Sequence, residues 1–327
     1  MQKIRWGILG CGKIARKFAS DLKLVKDASL VAVASTDDRR AKEFAKTFNA
    51  DIAFNSYDAL VTSDKVDVIY IATPHGFHHE HTLLCLNNKK AVLCEKALAL
   101  NSIQVKDMIE VSRANKVFLM EAFWTKFLPQ YQKVSELINH GDIGKLKLIQ
   151  ADFGFCAEQP TPQRLYDPKL GGGALLDIGI YPLFLATSLL GRPDGVEAVM
   201  SPYPSGVDEQ ISAVLKYNNG ALAITSATFA AHTPVEATIV GTEGYIRMTN
   251  RFHNAIGNVE VVDSKSARPV PVYKEEGFGY QFEARHVGEC LRKNLIESPI
   301  MSHADSLLLM ETMDRIRAKC GIRYEVD

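Results

Sequence analysis

The first residues in this chain able to do chemistry form a glycine turn. Gly10-Cys11-Gly12-Lys13-Ile14-Ala15 follows the apolar run Ile4 to Leu9, and Ile14, Phe18, Leu22 and Val25 then recur at helical spacing. A strand, a G-x-G-x-x-A turn and a helix together make a cradle for a dinucleotide pyrophosphate. Gly10 permits the tight turn, Gly12 lets backbone approach the phosphates, and Ala15 lets the helix pack on the sheet. The helix start at Lys13 and Ile14 offers free N–H groups to the anion. At the end of the second strand, where an acid would hold the ribose 2′-hydroxyl of NAD, stands Ser35, followed by Thr36-Asp37-Asp38-Arg39-Arg40. A hydroxyl and two guanidiniums suit a 2′-phosphate, so NADP is the expected cofactor and NAD the alternative, with Ser35, Thr36 and Arg40 at the ribose. The competing reading makes Asp37 and Asp38 the cap and first turn of a helix and leaves both arginines to solvent.

Two further clusters invite chemistry. His75, His78, His79 and His81 lie near Glu80 at helical spacing, but no distal cysteine or carboxylate motif completes a zinc site, so no metal is expected. Phe123, Trp124, Phe127, Tyr131, Phe153 and Phe155 either fill a core or wall an apolar pocket, and period two puts Phe153 and Phe155 on one strand face. Such a wall suits an aromatic diol or the C–H face of a sugar.

The elements that must position these residues change character along the chain. Up to residue 122, apolar runs (Leu30 to Ala34, Val66 to Ala72, Ala91 to Cys94) alternate with amphipathic stretches such as Ala41, Phe44, Ala45 and Phe48. This alternation predicts an α/β Rossmann domain with a doubly wound parallel sheet. From 123 to 327, runs such as Leu146 to Phe155, Gln210 to Tyr217, Ala221 to Phe229, Val235 to Val240 and Gly244 to Met248 succeed one another, and Asn218-Asn219-Gly220 signals a hairpin. An α+β domain with a large, mainly antiparallel open sheet is expected there, with helices at 173–190, 280–293 and 303–319.

At 327 residues, two domains are the default. Lys plus Arg equals Asp plus Glu, 38 against 38, which removes the electrostatic footprint of nucleic-acid or anionic-membrane binding and leaves small molecules as partners. The start, Met1 to Gly7, shows no charged leader with an apolar signal core, and no apolar run is read as reaching membrane-spanning length, so a cytoplasmic location is expected. Six scattered cysteines without a C-x-x-C pair argue against a zinc ribbon or a disulfide framework.

The segments Pro74-His75-Gly76-Phe77-His78, Cys94-Glu95-Lys96-Ala97 and Gly171-Gly172-Gly173-Ala174-Leu175-Leu176-Asp177-Ile178-Gly179-Ile180-Tyr181, in that order, resemble the glucose-fructose oxidoreductase, inositol dehydrogenase and MocA family. Glu121-Ala122-Phe123-Trp124 and the stretch 277–285 are similar to its dihydrodiol dehydrogenase branch. The resemblance implies a substrate site between the two domains. It implies Lys96 as the lysine touching substrate and catalytic acid, Tyr181 as the acid/base, Asp177 as an orienting carboxylate and His78 as a histidine near the nicotinamide. Thr73, Pro74, Glu95 and Lys96 join the cofactor-binding set, and Trp124, Phe153 and Phe278 are the substrate candidates. It also implies a homodimer. The family's proline after the lysine is Ala97 here, which leaves the peptide before it either cis or trans.

Oxidising a secondary alcohol needs a base within reach of the hydroxyl proton while the cofactor takes the hydride. A phenol is a poor base at neutral pH unless an ammonium such as that of Lys96 favours the phenolate. Asp177 and Tyr181, four apart, share a helical face, and the glycines before them allow close approach of a ligand. The expected activity is NADP-dependent hydride transfer with a secondary alcohol of a sugar, polyol or cyclic diol. A cofactor-binding sensor that has lost turnover is the alternative.

Overall fold

The computed structural model describes residues 3–158 and 163–327. The chain divides into two compact units. The first takes residues up to Ala99, Ile103–Phe127 and Glu275–Ser306; the second takes Leu100–Ser102, Leu128–Lys274 and Leu307–Asp327.

The first unit alternates β1 (Ile4–Leu9), α1 (Lys13–Leu22), β2 (Ala28–Ala34), α2 (Asp38–Phe48), β3 (Ile52–Phe54), α3 (Tyr57–Thr62), β4 (Val68–Ile71), α4 (His78–Asn87), β5 (Ala91–Glu95), α5 (Ser102–Asn115) and β6 (Leu119–Ala122). The strands pair in parallel in the order β3-β2-β1-β4-β5-β6. Most residues of the central strands, among them Ile8, Leu9, Val33, Ile69 and Leu93, are fully buried, as a sheet covered on both faces requires. Phe18 stacks on Tyr70 at 3.8 Å and tilts against Trp6 at 5.3 Å. Each such side chain contributes about 1.5–3 kcal/mol by leaving water. The strand order reverses between β1 and β4, and the crevice beyond the carboxyl ends at such a reversal is where doubly wound sheets bind ligands. β3 and α3 were not anticipated, because a three-residue half-buried strand and a six-residue helix are too short to show a period.

The second unit contains α6 (Pro129–His140), β7 (Leu146–Gly154), a π-helical turn Leu175–Gly179 running into α7 (Ile180–Leu190), β8 (Gly195–Pro202), β9 (Asp208–Lys216), β10 (Leu222–Thr228), β11 (Ala237–Gly241), β12 (Gly244–Thr249), β13 (Asn258–Asp263) and β14 (Ala267–Val270). The sheet order is β14-β13-β12-β11-β7-β10-β9-β8, antiparallel throughout except for the parallel pair β7–β10. Along β9, Ile211, Ala213 and Leu215 are buried while Gln210, Ser212 and Val214 face out, the alternation of a sheet packed on one face. Gly220, at φ +80°, turns β9 into β10 as the Asn-Asn-Gly signal indicated.

Two expectations need correction. The second domain is not one segment from 123 to 327. α8 (Tyr280–Arg292) belongs to the first unit, where buried Asp21 at the end of α1 accepts the N–H groups of Phe278, Gly279 and Tyr280 and so caps it. α9 (His303–Cys320) starts in the first unit and belongs to the second from Leu307 on. In addition, Pro168–Leu190 has the length and composition of a membrane span, with mean hydropathy 1.6 over its best window. That window is 83% buried inside the protein, so its apolarity serves the core of the second unit.

Candidate active site

The phosphate turn has the geometry its sequence demands. Gly10 sits at φ +97°, a left-handed conformation, and a Cβ there would lie 3.0 Å from the Ala72 carbonyl oxygen at the end of β4. Gly12 precedes the first turn of α1, and among the described residues the one atom its Cβ would meet within 4 Å is that carbonyl oxygen at 3.9 Å, so backbone is open to an approaching phosphate. A cavity of about 340 Å³ opens beside it, lined by Cys11, Gly12, Lys13, Arg16, Asp37, Arg39, Arg40 and Glu43. Ser35 is buried and accepts the Asp37 N–H at 3.2 Å, while Thr36 is exposed. The capping part of the competing reading holds. Asp37 caps α2 by accepting the Arg40 N–H at 3.0 Å, and both guanidiniums still line the cavity with Lys13 and Arg16. Arg16 carries no motif signal. It enters only because one turn of α1 places it three residues beyond Lys13, on the same side.

The lysine lies at the end of β5, where the Lys96–Ala97 peptide is cis. The turn that follows is held from two directions. The His78 imidazole meets the Ala97 carbonyl through Nδ1 and the Thr73 carbonyl through Nε2, both at 2.8 Å. Glu121 on β6 accepts the Leu98 N–H at 3.0 Å through Oε1. His78 is fully buried, and burial pushes its pKa down to about 4 against the opposing pull of the two carbonyls. It was expected at the cofactor; here its ring nitrogens face two backbone carbonyls, and the neutral ring, with one N–H, donates to one of them. Burial pushes Glu121 up to about 7, opposed by the Ser306 hydroxyl and the Leu98 N–H and assisted by the charge of Glu95. Glu95 is buried and accepts the Tyr70 hydroxyl. Thr73 bonds His81 Nδ1 through its hydroxyl at 3.0 Å, and His79 faces Asp107 at 2.6 Å. The histidine cluster is thus dispersed over different partners. Pro74 is exposed and starts the short helical turn that leads into α4.

In the second unit, Asp177 lies in the π-helical turn and Tyr181 in the first turn of α7. π turns inside helices recur at functional sites. The glycines before them serve a different end from the one expected. A Cβ on Gly172 would lie 2.8 Å from the Asp167 backbone nitrogen, and one on Gly173, at φ +116°, would lie 2.4 Å from Asp208 Oδ1. The close approach is therefore that of a buried carboxylate, Asp208, which accepts the Leu175 N–H at 2.6 Å and holds the start of the helix. Burial pushes Asp208 up to about 7 against the N–H groups of Leu175 and Ala174. Asp177 receives Arg164 at 3.2 Å, and that guanidinium is about half exposed. Tyr181 is nearly buried, its ring centroid 5.7 Å from Phe153 and 4.7 Å from His253. His253 stacks on Phe153 at 4.3 Å. Asp208, Arg164 and His253 escaped the sequence reading because none lies in a motif or a periodic run, and each reaches its place only through folding.

The remaining aromatic candidates have other partners. Trp124 stacks on Tyr280 at 4.7 Å, and Phe278, 48% exposed, lies under the Lys17 ammonium at 5.4 Å, both in the first unit. Phe155 packs against Phe229 at 5.2 Å.

Comparison with known proteins agrees with this arrangement. Residues 4–123 match the oxidoreductase family with an NAD-binding Rossmann fold, and residues 131–247 match the GFO/IDH/MocA C-terminal domain. The chain is 40% identical over 329 residues to the trans-1,2-dihydrobenzene-1,2-diol dehydrogenase of Xenopus laevis, covering 98% of this chain and 99% of that one. It is 33% identical over 332 residues to the human protein of the same name, with 99% of each covered. Among solved structures, the 3-ketoreductase KijD10 of Actinomadura kijaniata, in complex with NADP and TDP-benzene, superposes with a TM-score of 0.86 at 27% identity over 98% of each chain. With family models matched on both halves and relatives similar over nearly its full length, the chain belongs to the GFO/IDH/MocA family of oxidoreductases with an NAD-binding Rossmann domain.

Proposed function

We propose that this protein is an NADP-dependent dehydrogenase acting on a secondary alcohol of a cyclic diol, polyol or sugar. The cavity beside Gly12 carries the proposal. Four cations, Lys13, Arg16, Arg39 and Arg40, line it, and the strand end that would hold an acid for NAD presents Ser35. Arginine's planar fork suits a 2′-phosphate, and Gly10 and Gly12 leave room for the pyrophosphate. When bound, the nicotinamide supplies the hydride acceptor or donor. In this reading Tyr181 takes the hydroxyl proton, Lys96 supplies the charge that favours its phenolate, and Asp177 orients the substrate. Phe153 and His253 present ring faces beside Tyr181 that suit the flat side of a cyclic diol or the C–H face of a sugar. Relatives named for trans-1,2-dihydrobenzene-1,2-diol and a ketoreductase crystallised with NADP support this class.

The test is to incubate the purified protein with NADP or NAD and a panel of trans-1,2-dihydrobenzene-1,2-diol, D-xylose and other polyols, following reduced nicotinamide. Turnover favouring NADP supports the reading. Tight cofactor binding without turnover of any alcohol would favour the sensor instead.

The same proposal includes a cytoplasmic homodimer. All six cysteines are free thiols, as a reducing compartment allows. Register places Val214 opposite Ile224, and these with Val199, Leu222 and Tyr245 are exposed apolar residues on the large sheet, the kind of surface a second copy covers. Ile224→Lys is expected to shift the mass measured by sedimentation to that of a monomer; a wild-type monomer removes this part.

A further inference from the structure

Glu121 opens the Glu121–Trp124 stretch and has been given no role in the chemistry, yet its carboxyl is almost wholly buried and touches the turn that carries Lys96. Removing a carboxylate from water is costly, and a group so placed needs compensation from what it holds. Oε1 accepts the Leu98 N–H at 3.0 Å, two residues beyond Lys96, while His78 meets the intervening Ala97 carbonyl at 2.8 Å. Oε2 has no hydrogen-bonding partner among the described residues. The carboxyl and the imidazole thus meet the two ends of one peptide group, the Leu98 N–H and the Ala97 carbonyl, from β6 and α4 respectively.

From this geometry we infer that Glu121 is a positioning residue for the reaction, which with His78 fixes the Lys96–Leu98 turn and so aims the lysine side chain. The inference rests on the proposed role of Lys96. Misplacement of a catalytic group by about 1 Å costs on the order of 10²-fold in rate, so a single backbone hydrogen bond at this position has kinetic weight. The titration of Glu121 adds a signature. The groups facing its carboxyl are Glu95 and Cys94 on β5, Lys96 itself and the Ser306 hydroxyl at the start of α9. Below about 7 the carboxyl is protonated and its bond to Leu98 N–H is neutral; above it the bond is charge-assisted and stronger. Turnover therefore rises with pH through that region.

Three variants test this with NADP and trans-1,2-dihydrobenzene-1,2-diol. Glu121→Ala should lower kcat by about 10- to 100-fold while NADPH affinity, read by fluorescence titration, stays within about twofold because the phosphate turn is untouched. Hydrogen exchange at the Leu98 amide should quicken at least about tenfold, since its acceptor is gone. Glu121→Gln keeps an acceptor oxygen, so it should retain the slow Leu98 exchange and most of kcat but lose the limb near pH 7. Lys96→Ala serves as the reference. If Lys96→Ala abolishes turnover while Glu121→Ala leaves kcat and Leu98 exchange unchanged, the inference falls and the role of Lys96 stands. If Lys96→Ala turns over normally, or wild type does not turn over, both fall. Should Glu121→Ala fail to fold, persistence of the pH limb in Glu121→Gln overturns the inference by itself.

Discussion

The lysine turn of the first unit and the tyrosine helix of the second solve one problem in two ways. Each carries a side chain proposed for the chemistry on backbone whose N–H groups are not all satisfied by regular structure, and each uses a buried carboxylate to accept one: Glu121 for Leu98, Asp208 for Leu175. In the turn the backbone stands off and two long side chains reach in. In the helix the backbone comes to the carboxylate, which only glycine permits, because a Cβ on Gly173 would overlap Asp208. A third buried acid, Asp21, caps α8 in the same manner. The difference teaches that a glycine run beside reactive residues can be there for the scaffold and not for the ligand.

The two supports can be broken separately. The largest effect is expected at the reactive groups: Tyr181→Phe should lower kcat by about 10²- to 10⁴-fold with little change in cofactor affinity, and unchanged steady-state turnover would remove Tyr181 from the chemistry. Next comes the helix support. Asp208→Ala leaves buried N–H groups without an acceptor and should cost about 1–3 kcal/mol in denaturant unfolding; a loss within error would show that Asp208 does not hold the helix. Asp208→Asn sharpens the same point through pH. The folded-state pKa, about 7, lies above the ordinary aspartate value of about 3.9, so the folded protein binds the extra proton between them and wild-type stability falls as pH rises from about 4 to 7. Asparagine has no proton to lose. Its melting temperature relative to wild type should therefore climb over that window, and a constant difference would contradict the assignment. The smallest effect lies away from both supports: Arg40→Ala should weaken NADP by about tenfold and NAD hardly at all in binding titrations, since one phosphate contact is lost. Equal weakening of both would argue against a 2′-phosphate contact at Arg40.

Much of this was legible before folding. The alternation of apolar runs and amphipathic stretches identified the parallel sheet, and Asn218-Asn219-Gly220 identified the β9–β10 hairpin, because these signals are local and repeat with a fixed period. Lys96, Asp177 and Tyr181 were proposed through motifs. What holds them was not anticipated. The ring nitrogens of His78, read as a cofactor residue, face two carbonyls 5 and 19 positions away in sequence. Asp208 lies 33 positions from the amide it accepts. The return of Glu275–Ser306 to the first unit was equally hidden, since a helix's amphipathic face does not say which sheet or helix it will cover.

The amino-acid order alone settled most of the strands and helices and the glycine turn, since each follows from steric preference and apolar periodicity within a dozen residues. Tertiary structure alone decided which buried acid meets which backbone amide, the conformation of the Lys96–Ala97 peptide, and the pairing of Arg164 with Asp177 and of His253 with Phe153. Those depend on hydrogen bonds and ring contacts between residues far apart in the chain, and a polar group's need for a partner is written in its chemistry while the partner's identity is written only in the packing.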